Sequence, residues 1–463
     1  VVPTLTRRAL GARYAATCGE LAAEAKSECT LGACAVATAW VNGARCALVD
    51  PGGGLWLVVA VAMRNPFARV RARKPRPPTV CVDCRYVRER PSGIGVWVQV
   101  LVDQLPSLAP DLRFLFMKHP KGPERLSSAS NVRECVVSQE ANGPATMFWL
   151  PRIVDLDDVA LYHNTFGLMP YSMPVPTVVT IADIMQIKHP SWAKGPELWG
   201  WVEVAFKRHG LQRALRHAAR IVAVSEATRS EIASVDPEAA QRTRVALQGV
   251  SEDFHRMDGA EGKRLVEGAR KRWAHGAPRY VLTVGQFSAY KNHETVVRAF
   301  GRAFAHDKDM HLVLVQRLGS GPRTLRPIAR ALGIDDRVHF IRDVPLVDLV
   351  ALYNGAVALA HPSLYEGYGN PVIEALACGC PVVTSNRSSM PEVAAGAALL
   401  VDPESVEQVA DALKRIATDP ALASSLVSKG LARAAELGWE SFARVHVDVY
   451  REVLFGAAGA PTA

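Results

Sequence analysis

From residue 79 onward, short β-branched runs alternate with windows in which apolar residues recur every three or four positions, the pattern of a parallel sheet wrapped by helices. Val80 to Val87 reads as a first strand, followed by Ser92-Gly-Ile-Gly95 and a helix from Val96 to Leu105. Further strands are expected at 160–162, 177–181 and 220–224. A second series begins at Tyr280 to Val284 and continues through strands at 312–315, 338–341, 356–360 and 381–384, separated by helices at 293–304, 325–332, 346–354 and 371–378. Helical windows at 404–416, 421–436 and 442–454 follow, and the charged, turn-rich stretch 251–278 reads as the connection between the two series. The pattern predicts an α/β protein of two Rossmann-like domains, 79–255 and 256–440, with a terminal helix and tail at 441–463.

Residues 1–78 lack a clear period and end in the basic, proline-rich run Arg69-Val-Arg-Ala-Arg-Lys-Pro-Arg-Pro-Pro78, so a poorly ordered extension is expected there. The first methionine is Met63, and residues 1–62 read either as such an extension or as sequence upstream of the natural start, with Val1 a literally translated alternative start codon. The net charge of +9 is concentrated in this segment: residues 1–78 hold 11 Lys/Arg against 4 Asp/Glu, and the remaining chain holds 43 against 41. The body is nearly neutral, so no nucleic-acid partner is expected. The basic run has two readings, a solvated tail or a peripheral contact with anionic lipid. The apolar run Leu55 to Met63 has nine residues, about half of a membrane span, and lies too far from the amino terminus for a signal peptide. Nine cysteines, an odd number, argue for reduced thiols and a cytoplasmic protein. Cys81 and Cys84 form a C-x-x-C inside a predicted strand, where odd spacing sends the two thiols to opposite faces and makes a metal or redox pair unfavourable.

Ligands of an open parallel sheet bind beyond the carboxyl ends of its strands. The richest such stretch runs from His361 through Glu366-Gly-Tyr-Gly-Asn370 to Pro381. Asn370 is a good N-cap, Pro371 a good first helical residue, and Gly379 a good closing residue. Gly367 and Gly369 let the backbone approach a ligand, so an anion such as a diphosphate is expected on the free amides of the helix. Glu366 and Glu374 flank this turn, and carboxylates beside a phosphate site point to sugar or ribose hydroxyls as their partners. Asp155-Leu-Asp157 has the form of a metal-binding D-x-D but precedes a predicted strand, so a solvated turn is the better reading and no metal site is expected.

Glu366 and Glu374 match the motif of two glutamates separated by seven residues of the retaining glycosyltransferases of family 4, which have the GT-B fold. The resemblance extends through Gly93-Ile-Gly95, Val224-Ser-Glu226, Gly285 with Lys291-Asn292, Gly379-Cys-Pro-Val382 and Ser389-Met-Pro-Glu-Val393, and covers about residues 79–455. It implies two domains facing across a cleft, an acceptor-binding domain at 79–255, a nucleotide-sugar-binding domain at 256–440 and a terminal helix that crosses back to the first domain. By this resemblance Glu366 lies beside the transferred sugar, Glu374 binds the ribose, and Lys291, after Gly285, neutralises the diphosphate; Tyr368 and Asn370 belong to the same donor loop. Gln286 and Tyr290 stand where a companion cation is often found, leaving Arg317 as the remaining candidate. Gly93 and Gly95 are expected to form a close-approach loop, and His163 and Asp183 to face the acceptor from strand ends, with a core hydrogen bond as the competing role for His163.

The implied reaction moves a hexose from a nucleotide sugar, GDP-mannose first and UDP-glucose second, to a saccharide or lipid-linked acceptor without a cofactor. The mannose preference comes from similarity to polysaccharide mannosyltransferases. Two departures stand out: Ala182 in Thr180-Ile-Ala-Asp183 replaces the family's usual histidine, and Gln248 replaces a common asparagine. Ala182 keeps a second class of function open, a catalytically silent saccharide-binding relative; a nucleotide-sugar epimerase is the alternative among enzymes.

Overall fold

The structure, a computed structural model, describes residues 36–41, 44–49, 57–61, 77–88, 93–193, 200–315 and 321–456. The chain divides into two units, Val1–Arg76 and Pro77–Ala463. In the first, strands β1 (Val36–Val41), β2 (Ala44–Val49) and β3 (Leu57–Val61) form an antiparallel sheet in that order. The expectation for residues 1–78 did not include these three strands. Val41 pairs with Ala44, and the intervening sequence Asn-Gly is a strong hairpin signal that the segment's irregular composition conceals.

The second unit contains two parallel sheets. Strands β4 (Thr79–Asp83), β5 (Arg113–Lys118), β6 (Val132–Val136), β7 (Val159–Asn164), β8 (Thr177–Ile181), β9 (Arg220–Ala223) and β10 (Thr243–Val245) are ordered β10-β9-β8-β7-β4-β5-β6. Strands β11 (Arg279–Val284), β12 (Met310–Val315), β13 (Val338–Ile341), β14 (Ala358–His361), β15 (Val382–Ser385) and β16 (Leu399–Val401) are ordered β13-β12-β11-β14-β15-β16. Every pairing in both sheets is parallel, as two Rossmann-like domains require. The apolar runs of the central strands are buried on both faces, which is why they lack alternation.

Four strands of this unit escape the sequence pattern. β6, β10 and β16 are at sheet edges and only partly buried, so none shows a continuous apolar run, and the aromatic run of β5 is bracketed by Arg113 and Lys118. The expected connection 251–278 holds a helix, Gly259–Trp273, whose fully buried residues are only Gly262 and Ala269. Trp273 Nε1 donates to Asp348 at 2.8 Å and docks it on the neighbouring Leu346–Gly355 helix. The terminal helix Trp439–Phe455 crosses back, with Phe442 against Trp97 at 5.9 Å and Glu452 paired to Arg220 at 3.1 Å. Where the two crossovers meet, a Cβ on Gly249 would lie 2.5 Å from the Trp439 amide, so only glycine fits.

Candidate active site

β14 delivers His361 to its carboxyl end, and the chain then turns through Glu366 into the helix Asn370–Ala377. The helix starts one residue earlier than expected: Gly369, at φ +104°, is the N-cap and Asn370 the first helical residue. A left-handed N-cap excludes most side chains, and a Cβ there would also lie 2.2 Å from Met390 Cε. Gly367 is required for a different reason: a Cβ would lie 2.2 Å from the carbonyl oxygen of Ala182 in the first domain. Both glycines therefore serve protein–protein closeness in this structure. Gly379, at φ +69°, follows the Cys378 C-cap as predicted.

Lys291 ends a 3-10 turn, Ala289–Lys291, after Gly285, and its Nζ donates to Glu366 Oε1 at 2.6 Å. His361 Nε2 approaches the same carboxylate oxygen at 3.0 Å, and beside a carboxylate that nitrogen must carry the proton. Burial opposes the charge of Glu366, but Lys291 and then His361 outweigh it and bring its pKa down to about 2. Burial likewise opposes Lys291, and the charge and hydrogen bond of Glu366, with Tyr290 and Glu374, together outweigh it and raise its pKa above the usual value. His361 itself is lowered by burial and stays a neutral donor. One turn into the helix, Glu374 Oε2 accepts a hydrogen bond from Tyr353 at 2.8 Å.

The matched motifs fasten these loops. Asn292, at φ +58°, donates from Nδ2 to the Pro362 carbonyl at 3.0 Å, and the Leu364 amide donates to the Tyr290 carbonyl at 2.7 Å. Ser389 Oγ donates to the carbonyls of Glu366 and Tyr368 at 3.1 and 2.8 Å. Ser225 Oγ donates across the domains to the Gly367 carbonyl at 2.7 Å. The Glu392 carboxylate accepts from the amides of Glu226 and Ala227, neutralising the N-terminus of the Glu226–Val235 helix. Tyr365 OH donates to Glu231 at 2.5 Å and accepts from the Ile184 amide at 3.3 Å.

Asp183 follows β8 and faces the same cleft. Its pKa is raised by burial, with Glu231 and Glu366 adding to the rise and the Met185 amide and Lys291 opposing it. It lines a cavity of about 250 Å³ with Tyr86, Ile94, Asn142, Phe166, Ala182 and Lys207, among others. Gly93 and Gly95 open the first helix, which begins at Gly93 and not at the expected Val96. Gly93 stands close to the donor loop, a Cβ on it falling 3.9 Å from Asn370 Nδ2.

His163 takes the competing role, a core hydrogen bond: it lies on β7, fully buried under the terminal helix. His446 Nδ1 is 2.8 Å from the Phe442 carbonyl, so that nitrogen carries the proton and Nε2 accepts from Thr180 Oγ1 at 3.0 Å. Thr180 then accepts from His163 Nε2 at 2.8 Å, and His163 Nδ1 accepts from Tyr450 OH at 2.7 Å. Every member of the chain is satisfied, and no free nitrogen is left for an acceptor. Tyr368 is also turned inward, its hydroxyl bonded to the Gln248 carbonyl. Arg317 and the basic residues 69–76 lie outside the described residues. Asp155 Oδ1 accepts from the Asp157 amide at 3.0 Å in an exposed turn. Cys81 and Cys84 are free and fall in different apolar clusters. Among the described residues no helix is long and apolar enough to cross a membrane, and no three His, Cys, Asp or Glu side chains are grouped to hold a metal. Residues to which the sequence gave no role are His361, Tyr353, Tyr365 and Glu231; of these, only His361, directly after the apolar core of a strand, had a positional signal.

Residues 267–433 match the family described as Glycosyl transferases group 1. The chain is 27% identical over 292 residues to O-antigen chain mannosyltransferase B of Escherichia coli, covering 63% of this chain and 74% of that protein. It is 27% identical over 298 residues to a D-inositol 3-phosphate glycosyltransferase of Saccharomonospora viridis, 62% of this chain and 66% of that one. Among solved structures, sucrose-phosphate synthase from Thermosynechococcus elongatus superposes with a TM-score of 0.61 at 20% identity, over 81% of this chain and 98% of that one, a likeness of fold.

Proposed function

We propose that this GT-B glycosyltransferase, which resembles mannosyltransferases, transfers a hexose from a nucleotide sugar with retention of configuration, in the manner of family 4 and without a metal. The observation that carries the reading is the buried group Lys291–Glu366–His361, placed before the N-terminus of the Asn370–Ala377 helix and faced by Asp183 from the other domain. Lys291 and the helix amides supply the positive charge a departing diphosphate needs, work that a metal does in other transferases. Glu366 takes hydroxyls of the transferred sugar, and Glu374, held by Tyr353, takes the ribose. The cavity beside Asp183 receives the acceptor, a saccharide or a lipid-linked one.

In the same-face route, the anomeric carbon–phosphate oxygen bond breaks as the acceptor oxygen bonds to that carbon. The acceptor proton passes to the departing diphosphate, leaving a glycoside and a nucleoside diphosphate. Likeness to O-antigen chain mannosyltransferase B supports GDP-mannose as the first donor to try, with UDP-glucose second. The test is a thermal-shift screen of nucleotide sugars followed by mass analysis of the product, with and without EDTA. Transfer that persists in EDTA with the anomeric configuration kept is expected. Binding without turnover would favour a silent relative, and loss of activity restored by manganese would overturn the metal-free route.

A further inference from the structure

We propose that His361 is a positioning residue of the transfer reaction, holding the Glu366 carboxylate aimed and ionised after the donor diphosphate has drawn Lys291 away. The inference rests on the roles of Glu366 and Lys291 given above. Glu366 Oε1 accepts from two donors, Lys291 at 2.6 Å and His361 at 3.0 Å, and the two differ in what holds them. Lys291 reaches the carboxylate on a long side chain from a single 3-10 turn, so a diphosphate of higher charge competes for it directly. His361 is the last residue of β14, paired in register with Thr384 of β15. Thr384 Oγ1 donates to its carbonyl at 2.9 Å, Ser363 Oγ stands 3.2 Å from its Nε2, and the ring is 3% exposed. This ring has nowhere to swing.

Once Lys291 turns to phosphate, a buried carboxylate without His361 would lose both its orientation and the donor that favours its charged form. The titratable and charged groups around the pair are Lys291 and His293 from the β11 side, Asp183 from β8, Glu374 from the Asn370–Ala377 helix and, behind Asp183, Glu231. His293, held neutral by burial, supplies no charge to replace Lys291. With only sugar hydroxyls left to donate to the carboxylate, its pKa in the loaded enzyme rises, and the acid limb of turnover moves to higher pH.

The experiment uses the full chain with GDP-mannose and then UDP-glucose as donors, comparing wild type with His361→Phe, His361→Gln, His361→Asn and Glu366→Ala. His361→Phe should lower kcat about ten- to a hundredfold with donor KM within about twofold, and move the acid limb of kcat up by about one pH unit. His361→Gln, whose amide reaches the place of Nε2, should recover about tenfold over the phenylalanine variant; His361→Asn, whose amide is too short, should not. A phenylalanine variant with kcat within twofold of wild type, or one whose loss lies in KM, overturns the proposal. If that variant does not fold, the Gln and Asn variants decide: equal turnover overturns it. Glu366→Ala separates the two levels. If it turns over like wild type, the underlying reading has failed; if it is inactive while His361→Phe is not, only the role of His361 has.

Discussion

His163 and His361 each stand at the carboxyl end of a parallel strand, each with a ring that is buried and a depressed pKa, and they do opposite things. His163 is closed into a chain of neutral partners, Tyr450, Thr180 and His446, that ends on a backbone carbonyl. His361 meets a carboxylate that a lysine also holds. A neutral chain with every donor and acceptor matched is a structural fastener, here riveting the terminal helix to β7 and β8. A carboxylate shared between a strand-end donor and a cation on a long side chain is a group that can exchange a partner. Burial and a shifted pKa alone do not distinguish the two; the charge of the partner does.

The largest effect expected on this contrast is at Glu366. Glu366→Ala should reduce turnover by about a hundredfold or more if its contact is made chiefly in the transition state, measured as product formation at saturating donor. Glu374→Gln should instead act on nucleotide affinity, so equal small effects at both positions would show the site misplaced. At the other histidine the expectation reverses. His163→Ala should cost about 2–4 kcal/mol of stability, from a cavity and an orphaned Tyr450 hydroxyl, with kcat and donor KM within about twofold. Denaturant unfolding beside steady-state kinetics checks both halves; a strong loss of turnover in a stable variant would return His163 to the site.

The smallest effect is the pH dependence of stability. His163 is held below its ordinary 6.5 and His446 is brought down to about 4, both by burial, so the unfolded chain binds protons there first. Their contribution is present above 6.5 and is lost as pH falls below it. Glu366, down at about 2 against an ordinary 4.5, contributes stability that is present above 4.5 and lost as pH falls from there toward 2. Glu366→Gln should therefore flatten the stability curve below 4.5 and steepen it between 6.5 and 4.5, because the neighbouring His361 loses the charge that supports its protonated form. An unchanged curve below 4.5 would mean that the Glu366 carboxylate is not held ionised by its partners.

The sequence by itself determined the parallel α/β class, the two-domain division after residue 79, the helix His293–Phe304 and the strands Thr177–Ile181 and Val338–Ile341, because buried parallel strands and amphipathic helices write their periods locally. It also marked Glu366, Glu374, Lys291 and Asp183 through loop chemistry, strand-end position and resemblance to a family. Only the tertiary structure decided which strand-end histidine meets a charge, since that depends on what packs above each strand: the terminal helix, some 280 positions later in the chain, over His163, and the Lys291 loop over His361. Likewise, Gly367 and Gly369 looked like room for a ligand, and the structure shows each facing protein atoms, Ala182 from another domain and Met390 from the short helix Met390–Ala394. A glycine records that something comes close, and local sequence carries no trace of what arrives from a distant part of the chain.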